Sequence, residues 1–167
     1  MSTVTKNTKS TATETHRTDP PPVVHTAAML WLSAVALGAF EVVLMVSQEL
    51  LASTSTVTDL LPGVGFRLAV FGGAIFLALR LKNGRNWARW TLAGTLGVLG
   101  TLSLVVEPVR WLLDGGSIAE AVAGMDAVSW AFASSRILHL TAVLGAMALM
   151  FQPRANAYFA SAGAAAG

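Results

Sequence analysis

Glu41, Arg136 and His139 are the side chains best placed to do chemistry, because each is an ionisable group inside a long apolar run. If those runs cross a bilayer, a charge at mid-depth costs about 2.5–3.5 kcal/mol, so each residue needs a partner or a task. Glu41 lies about ten residues from one end of its run. Arg136 and His139, in a run of opposite direction, lie about eight and eleven residues from the same side. At about 1.5 Å per residue all three sit roughly 12–17 Å deep. Arg136 and His139 are spaced i, i+3 and share a helix face. Ala34, Gly38, Glu41, Met45 and Gln48 likewise share one face, and the small Ala34 and Gly38 would let a neighbouring helix approach closely. We expect the two runs to meet, with Glu41 paired to Arg136 or His139. The trio is then either a proton or ion relay or a clamp that fixes helix register. The clamp has a physical argument behind it, since an arginine beside a carboxylate keeps it ionised and makes it a poor proton carrier.

Composition says what must hold these groups. Of 167 residues, 54% are hydrophobic and only 12% charged, against about 25% charged in globular proteins. Mean hydropathy is +0.61, and an integral membrane protein is the class this implies. The net charge of +2 does not indicate nucleic acid, because the basic residues flank apolar runs rather than form a soluble face. Cysteine is absent, which excludes disulfides, thiolate metal sites and thiol nucleophiles.

Four spans are expected, at about 27–51, 64–81, 87–106 and 128–151, forming an all-α, up-down-up-down bundle. Residues 1–25 are polar and threonine-rich and end in Pro20-Pro21-Pro22, so they read as a disordered tail. Residues 153–167 read as a second flexible tail. Between spans two and three, the stretch from Arg80 to Trp90 holds Arg80, Lys82, Arg85 and Arg89 and no acid, with Asn83-Gly84 as a turn signal. Lys and Arg number three in the N-terminal tail, four in this hairpin and one in the C-terminal tail, against none and one in the other two connections. The positive-inside rule then puts both termini and the hairpin in the cytoplasm, with the plasma membrane as location. Trp87, Trp90, Trp111 and Trp130 fall near span ends, where indoles favour the interface. The third connection is acidic and longer; Ser117 to Glu120 fits a capping box and predicts a short amphipathic helix.

Two further groups stand out. Glu49, Arg67, Glu107 and Arg110 form an expected outer-rim cluster of balanced charge, read as structural. Gly94, Gly97, Gly100 and Thr101 supply small-residue packing in the third span, within the bundle or along the seam of a homo-oligomer. No nucleotide-binding, nucleophile-elbow or zinc-protease motif is present. Only His139 lies within a span, so a two-ligand membrane haem is not expected. No metal or other cofactor, and no enzymatic activity, is expected.

The hairpin residues Gly84-Arg-Asn-Trp-Ala-Arg89 resemble a G-x-N-W-A-R turn found in small four-span membrane proteins of actinobacteria. Pro153-Arg-Ala-Asn-Ala-Tyr-Phe159 is similar to the P-x-x-N-A-Y-F ending of that group. The resemblance implies a plasma-membrane protein and carries over no catalytic residue. Ala39-Phe-Glu41-Val42 is similar to the first span of small multidrug-resistance transporters, which also have four spans with a carboxylate in the first. Those proteins are shorter and have no counterpart of Arg136 and His139. The leading functional expectation is a non-enzymatic accessory or scaffolding subunit, with lipid and other membrane proteins as partners. The alternative is a small proton-coupled transporter using Glu41 and His139. A lipid-modifying enzyme has least support.

Overall fold

The computed structural model describes residues 20–164. The expected N-terminal tail lies outside the described residues up to position 19. Six helices follow in chain order: α1 (Pro22–Leu51), α2 (Val57–Lys82), α3 (Asn86–Leu113), α4 (Ile118–Ala123), α5 (Ala127–Met150) and α6 (Pro153–Ala164). Helices α1, α2, α3 and α5 are long and apolar enough to cross a membrane. The chain is an all-α, four-span, multi-pass membrane protein, and its apolar exterior suits contact with lipid. Trp87, Trp90, Trp111 and Trp130 remain exposed near helix ends.

The spans are longer than expected, for local reasons. α1 begins at Pro22, where a proline at the first helical position sacrifices no hydrogen bond. α2 begins at Val57 because Thr56 and Asp59 cap it: the Thr56 N–H and hydroxyl donate to the Asp59 carboxylate at 3.0 and 2.6 Å. Pro62 therefore lies inside α2 rather than before it. Pro108 likewise lies inside α3 and does not end it. Each proline removes one backbone donor, a loss that membrane helices tolerate. The short α4 forms as expected, with the Glu120 N–H donating to Ser117 Oγ at 3.4 Å.

Residues Leu92–Gly100 of α3 are π-helical. Such wide turns are rare and often mark functional sites. Hydroxyls bond back to the preceding turn around it, Thr91 Oγ1 to the Trp87 carbonyl at 3.0 Å and Thr95 Oγ1 to the Thr91 carbonyl at 2.6 Å. These local bonds compete with the regular ladder and loosen it. Gly97 packs on Met147 of α5, so a Cβ there would overlap the sulfur, whereas Gly94 faces open space.

The packing is lopsided. Val24, Trp31, Leu81, Leu92 and Met150, the largest fully buried side chains, all belong to the half of the bundle nearest the 83–85 turn. α6 caps this hairpin end. The segment from residue 153, expected as a flexible tail, is helical to Ala164, with Ala155 and Phe159 buried; residues 165–167 lie outside the described residues. Pro153 starts a helix here as well as ending one, and Ala155 and Phe159 are spaced i, i+4 to bury one face. The Tyr158 hydroxyl donates to the Lys82 carbonyl at 3.2 Å. The guanidinium of Arg89 lies 4.5, 5.1 and 5.5 Å from the ring centres of Phe151, Phe159 and Trp90. Arg89 is only 8% exposed, so one of the four basic hairpin residues is caged by aromatics rather than presented to water. The two short motifs of the sequence thus touch each other.

Gly84 has φ +75°, and a Cβ there would meet the Ala162 Cβ at 2.9 Å. Gly84→Val should therefore combine left-handed strain with overlap and lower stability by about 1–3 kcal/mol. Unfolding in mixed micelles followed by tryptophan fluorescence measures this. Stability equal to that of the parent chain would contradict the docking of α6.

Candidate functional site

Glu41, Arg67, Arg136 and His139 line one cavity of about 380 Å³. Its position follows from the helix ends. Arg67 lies about ten residues inside α2, counted from Val57, and Ser103 about ten inside α3, counted from Leu113. At about 1.5 Å per residue both are roughly 15 Å from their helix ends, the depth of Glu41. Every spanning helix contributes: Glu41 from α1, Arg67 from α2, Ser103 from α3, Arg136 and His139 from α5. Gly38 allows the walls to close, since a Cβ there would lie 3.1 Å from the Phe71 ring and 3.5 Å from the His139 ring.

The direct partner of Glu41 differs from the expected one. The Ser135 hydroxyl donates to Glu41 Oε1 at 3.2 Å, and Ser135 is buried. Among the described residues no ion pair within 4.0 Å joins Glu41 to Arg136 or His139. The helix faces meet as expected, α1 against α5, but the shorter hydroxyl one residue before Arg136 reaches the carboxylate. Ser135 carried no sequence signal, because an intramembrane serine most often bonds its own helix.

The expected rim cluster divides. Glu49 accepts from Thr54 Oγ1 at 2.7 Å and Ser55 Oγ at 3.0 Å, within its own loop. Arg67 belongs to the central cavity, with its Nη1 donating to the Gly63 carbonyl at 3.4 Å. Glu107 and Arg110 line a wider vestibule of about 630 Å³ together with Asp114 and Arg136. Arg136 therefore stands between the vestibule and the central cavity. Beside the vestibule, Asp126 caps α5, accepting from the Ser129 N–H at 2.8 Å. Hydrogen bonds from Ser129 hold its carboxyl below the ordinary aspartate range.

Towards the hairpin end, an apolar cavity of about 190 Å³ adjoins the central one, sharing Phe71, Ser103, Leu104 and His139 as walls. Gly100 and Thr101 line it, so of the expected packing residues Gly97 packs while these two face a cavity. Trp31, Thr101 and His139 on its wall each carry a buried polar atom, Nε1, Oγ1 and Nδ1, with no hydrogen-bond partner among the described residues. Buried polar atoms are normally satisfied. Three of them gather here, where Trp31 gave no earlier sign of a role and Thr101 was expected only as a packing residue.

Comparison with protein-family models finds no match, and comparisons with curated proteins and with solved structures find none either.

The Ser135–Glu41 contact predicts measurable coupling. In a double-mutant cycle, Ser135→Ala and Glu41→Gln should couple by about 0.6 kcal/mol, reaching about 1.7 at most, as intramembrane hydrogen bonds do. Strictly additive effects on unfolding in micelles would contradict a direct bond.

Proposed function

We propose that the chain is a small transporter that binds its solute in the central cavity and uses Glu41 and His139 to couple movement to protons. One observation carries this reading: all four spans contribute polar side chains to one cavity at mid-depth. Isolated intramembrane charges are common as clamps, but four ionisable groups around a space of this size suit a ligand better. The lopsided packing supports it further. A sealed hairpin end and a hollow opposite end correspond to one open state of an alternating-access carrier. The basic hairpin argues that the sealed end is cytoplasmic and the hollow end external, in the plasma membrane. No bond of the solute is made or broken in this reading, and the role is not enzymatic.

The lining of the cavities supports the following cycle. Solute enters past Arg136 from the vestibule. Glu41 and His139, which both line the cavity, take up or release a proton as the solute's charge arrives or leaves. Release to the other side requires the hairpin end to loosen, which means breaking contacts around Trp31, Leu81, Leu92 and Met150.

A second reading, an accessory subunit of a larger membrane assembly, has its own support. Gly65, Ala69 and Gly73 form an exposed stripe on α2, and a Cβ at either glycine would meet nothing within 4 Å. Small residues at this spacing admit another helix closely, from a partner or a second copy.

Purified protein in liposomes containing a pH dye separates the two. The carrier reading predicts solute-dependent proton movement that is abolished by Glu41→Gln and by His139→Ala, with both variants folded. Protein inert on its own that co-purifies in fixed ratio with a larger assembly would instead establish the accessory reading.

A further inference from the structure

We infer that the ligand of this site is an amphipathic organic anion, its charged end between Arg67 and Arg136 and its apolar body in the adjoining cavity. The inference rests on the central cavity being a solute site, and it adds the class of solute.

The charge balance points one way. Two guanidinium groups and one carboxylate line the central cavity with His139. Arginine stays charged in any protein environment, so both positive charges are permanent. The one carboxylate, which accepts from the Ser135 hydroxyl, offsets one of them, and the lining stays net positive. Among the described residues neither Arg67 nor Arg136 has a carboxylate within 4.0 Å. Both arginines are exposed at the level of the cavity and open to a ligand, and positive charge without a close counter-ion attracts an anion. Guanidinium also matches carboxylate, sulfonate and phosphate in shape, through paired N–H donors.

The adjoining cavity supplies the second half. Its wall is built from Ala34, Val35, Val70, Ala74 and Val143, with Trp31, Thr101 and His139 among them. At about 190 Å³ it is far larger than the space one water needs. A small inorganic anion would leave this space empty, and a compact hydrophilic solute would gain nothing from it. A single chain or ring attached to an anionic group occupies both cavities at once. His139 and Ser103 line both and stand at the junction.

The test uses the full chain in nanodiscs of zwitterionic lipid, with thermal unfolding as the readout of binding. The probes are 1-octanesulfonate, a permanent anion with one apolar chain; octyltrimethylammonium, its cationic counterpart; and methanesulfonate, the anion without the chain. Octanesulfonate alone should raise the unfolding temperature. Arg136→Gln should weaken its binding about tenfold or more, the loss expected for one hydrogen-bonded charge, and Arg136→Lys should restore part of it. Stabilisation by octyltrimethylammonium as large as by octanesulfonate, or equal stabilisation by methanesulfonate, overturns the inference. So does no response to any probe in the parent chain, which needs no variant to fold. Soluble amphipaths and single-chain anionic lipids share this chemistry, and competition by lysophosphatidic acid separates them: displacement assigns the lipid, its absence the soluble solute, and the class stands in both cases. Binding of octanesulfonate without proton-linked flux removes the carrier reading and leaves the ligand class. Proton-linked flux of the cation does the reverse.

Discussion

The caging of Arg89 governs how the rest of the bundle is arranged. A basic residue with only 8% of its surface exposed at the end of a membrane helix is costly without compensation. Here the compensation comes from rings at three points in the chain: Trp90 beside it, Phe151 just past the end of α5 and Phe159 within α6. Such contacts contribute about 2 kcal/mol or more when desolvated. Holding that arrangement brings the hairpin, the end of α5 and α6 together. Trp90 and Phe151 also pack on each other, with ring centres 5.2 Å apart. One basic residue thereby closes one end of the four-helix bundle.

Closure at one end has a consequence at the other. Large buried side chains gather near the hairpin, and glycine at 97 lets Met147 in close. Beyond the level of Trp31 the buried residues include small and polar ones, Ala34, Gly38, Ala74 and Ser135, and the π-helical stretch of α3 ends at Gly100, on a cavity wall. The space there is lined first by aliphatic residues and then by charges. Aliphatic packing holds the hairpin half of the bundle together, while ionisable groups line the cavity in the other half.

Much of this was legible in the sequence, and the exceptions have physical causes. Four long apolar runs announce four spans, because no other structure satisfies the backbone in lipid. Depth arithmetic brought Glu41, Arg136 and His139 to one level. It assigned Arg67 to the rim because Pro62-Gly63 reads as a break, and the Thr56–Asp59 cap overrides that signal by starting the helix earlier. α6 was hidden because its Ala- and Gly-rich composition has little amphipathic signal, and what orders it is tertiary contact with the hairpin. The exchange of Arg136 for Ser135 as partner of Glu41 lies below what depth can resolve, since the two are at nearly the same depth and differ in reach and in direction, by about 100° around the helix. The cavities themselves have no sequence signature, because a void is a property of packing.

In the proposed carrier, the charged cavity opens at the end opposite the hairpin. The chain has no cysteine, so one introduced thiol reports its own surroundings. Ser103→Cys, on the cavity wall, and Ala146→Cys, in the sealed half, would be exposed to a membrane-impermeant maleimide in intact cells and in inside-out vesicles. The account predicts that the thiol at 103 reacts from the external side alone and that the thiol at 146 reacts from neither. Labelling of position 103 only in inside-out vesicles, or equal labelling of 103 and 146, would contradict it.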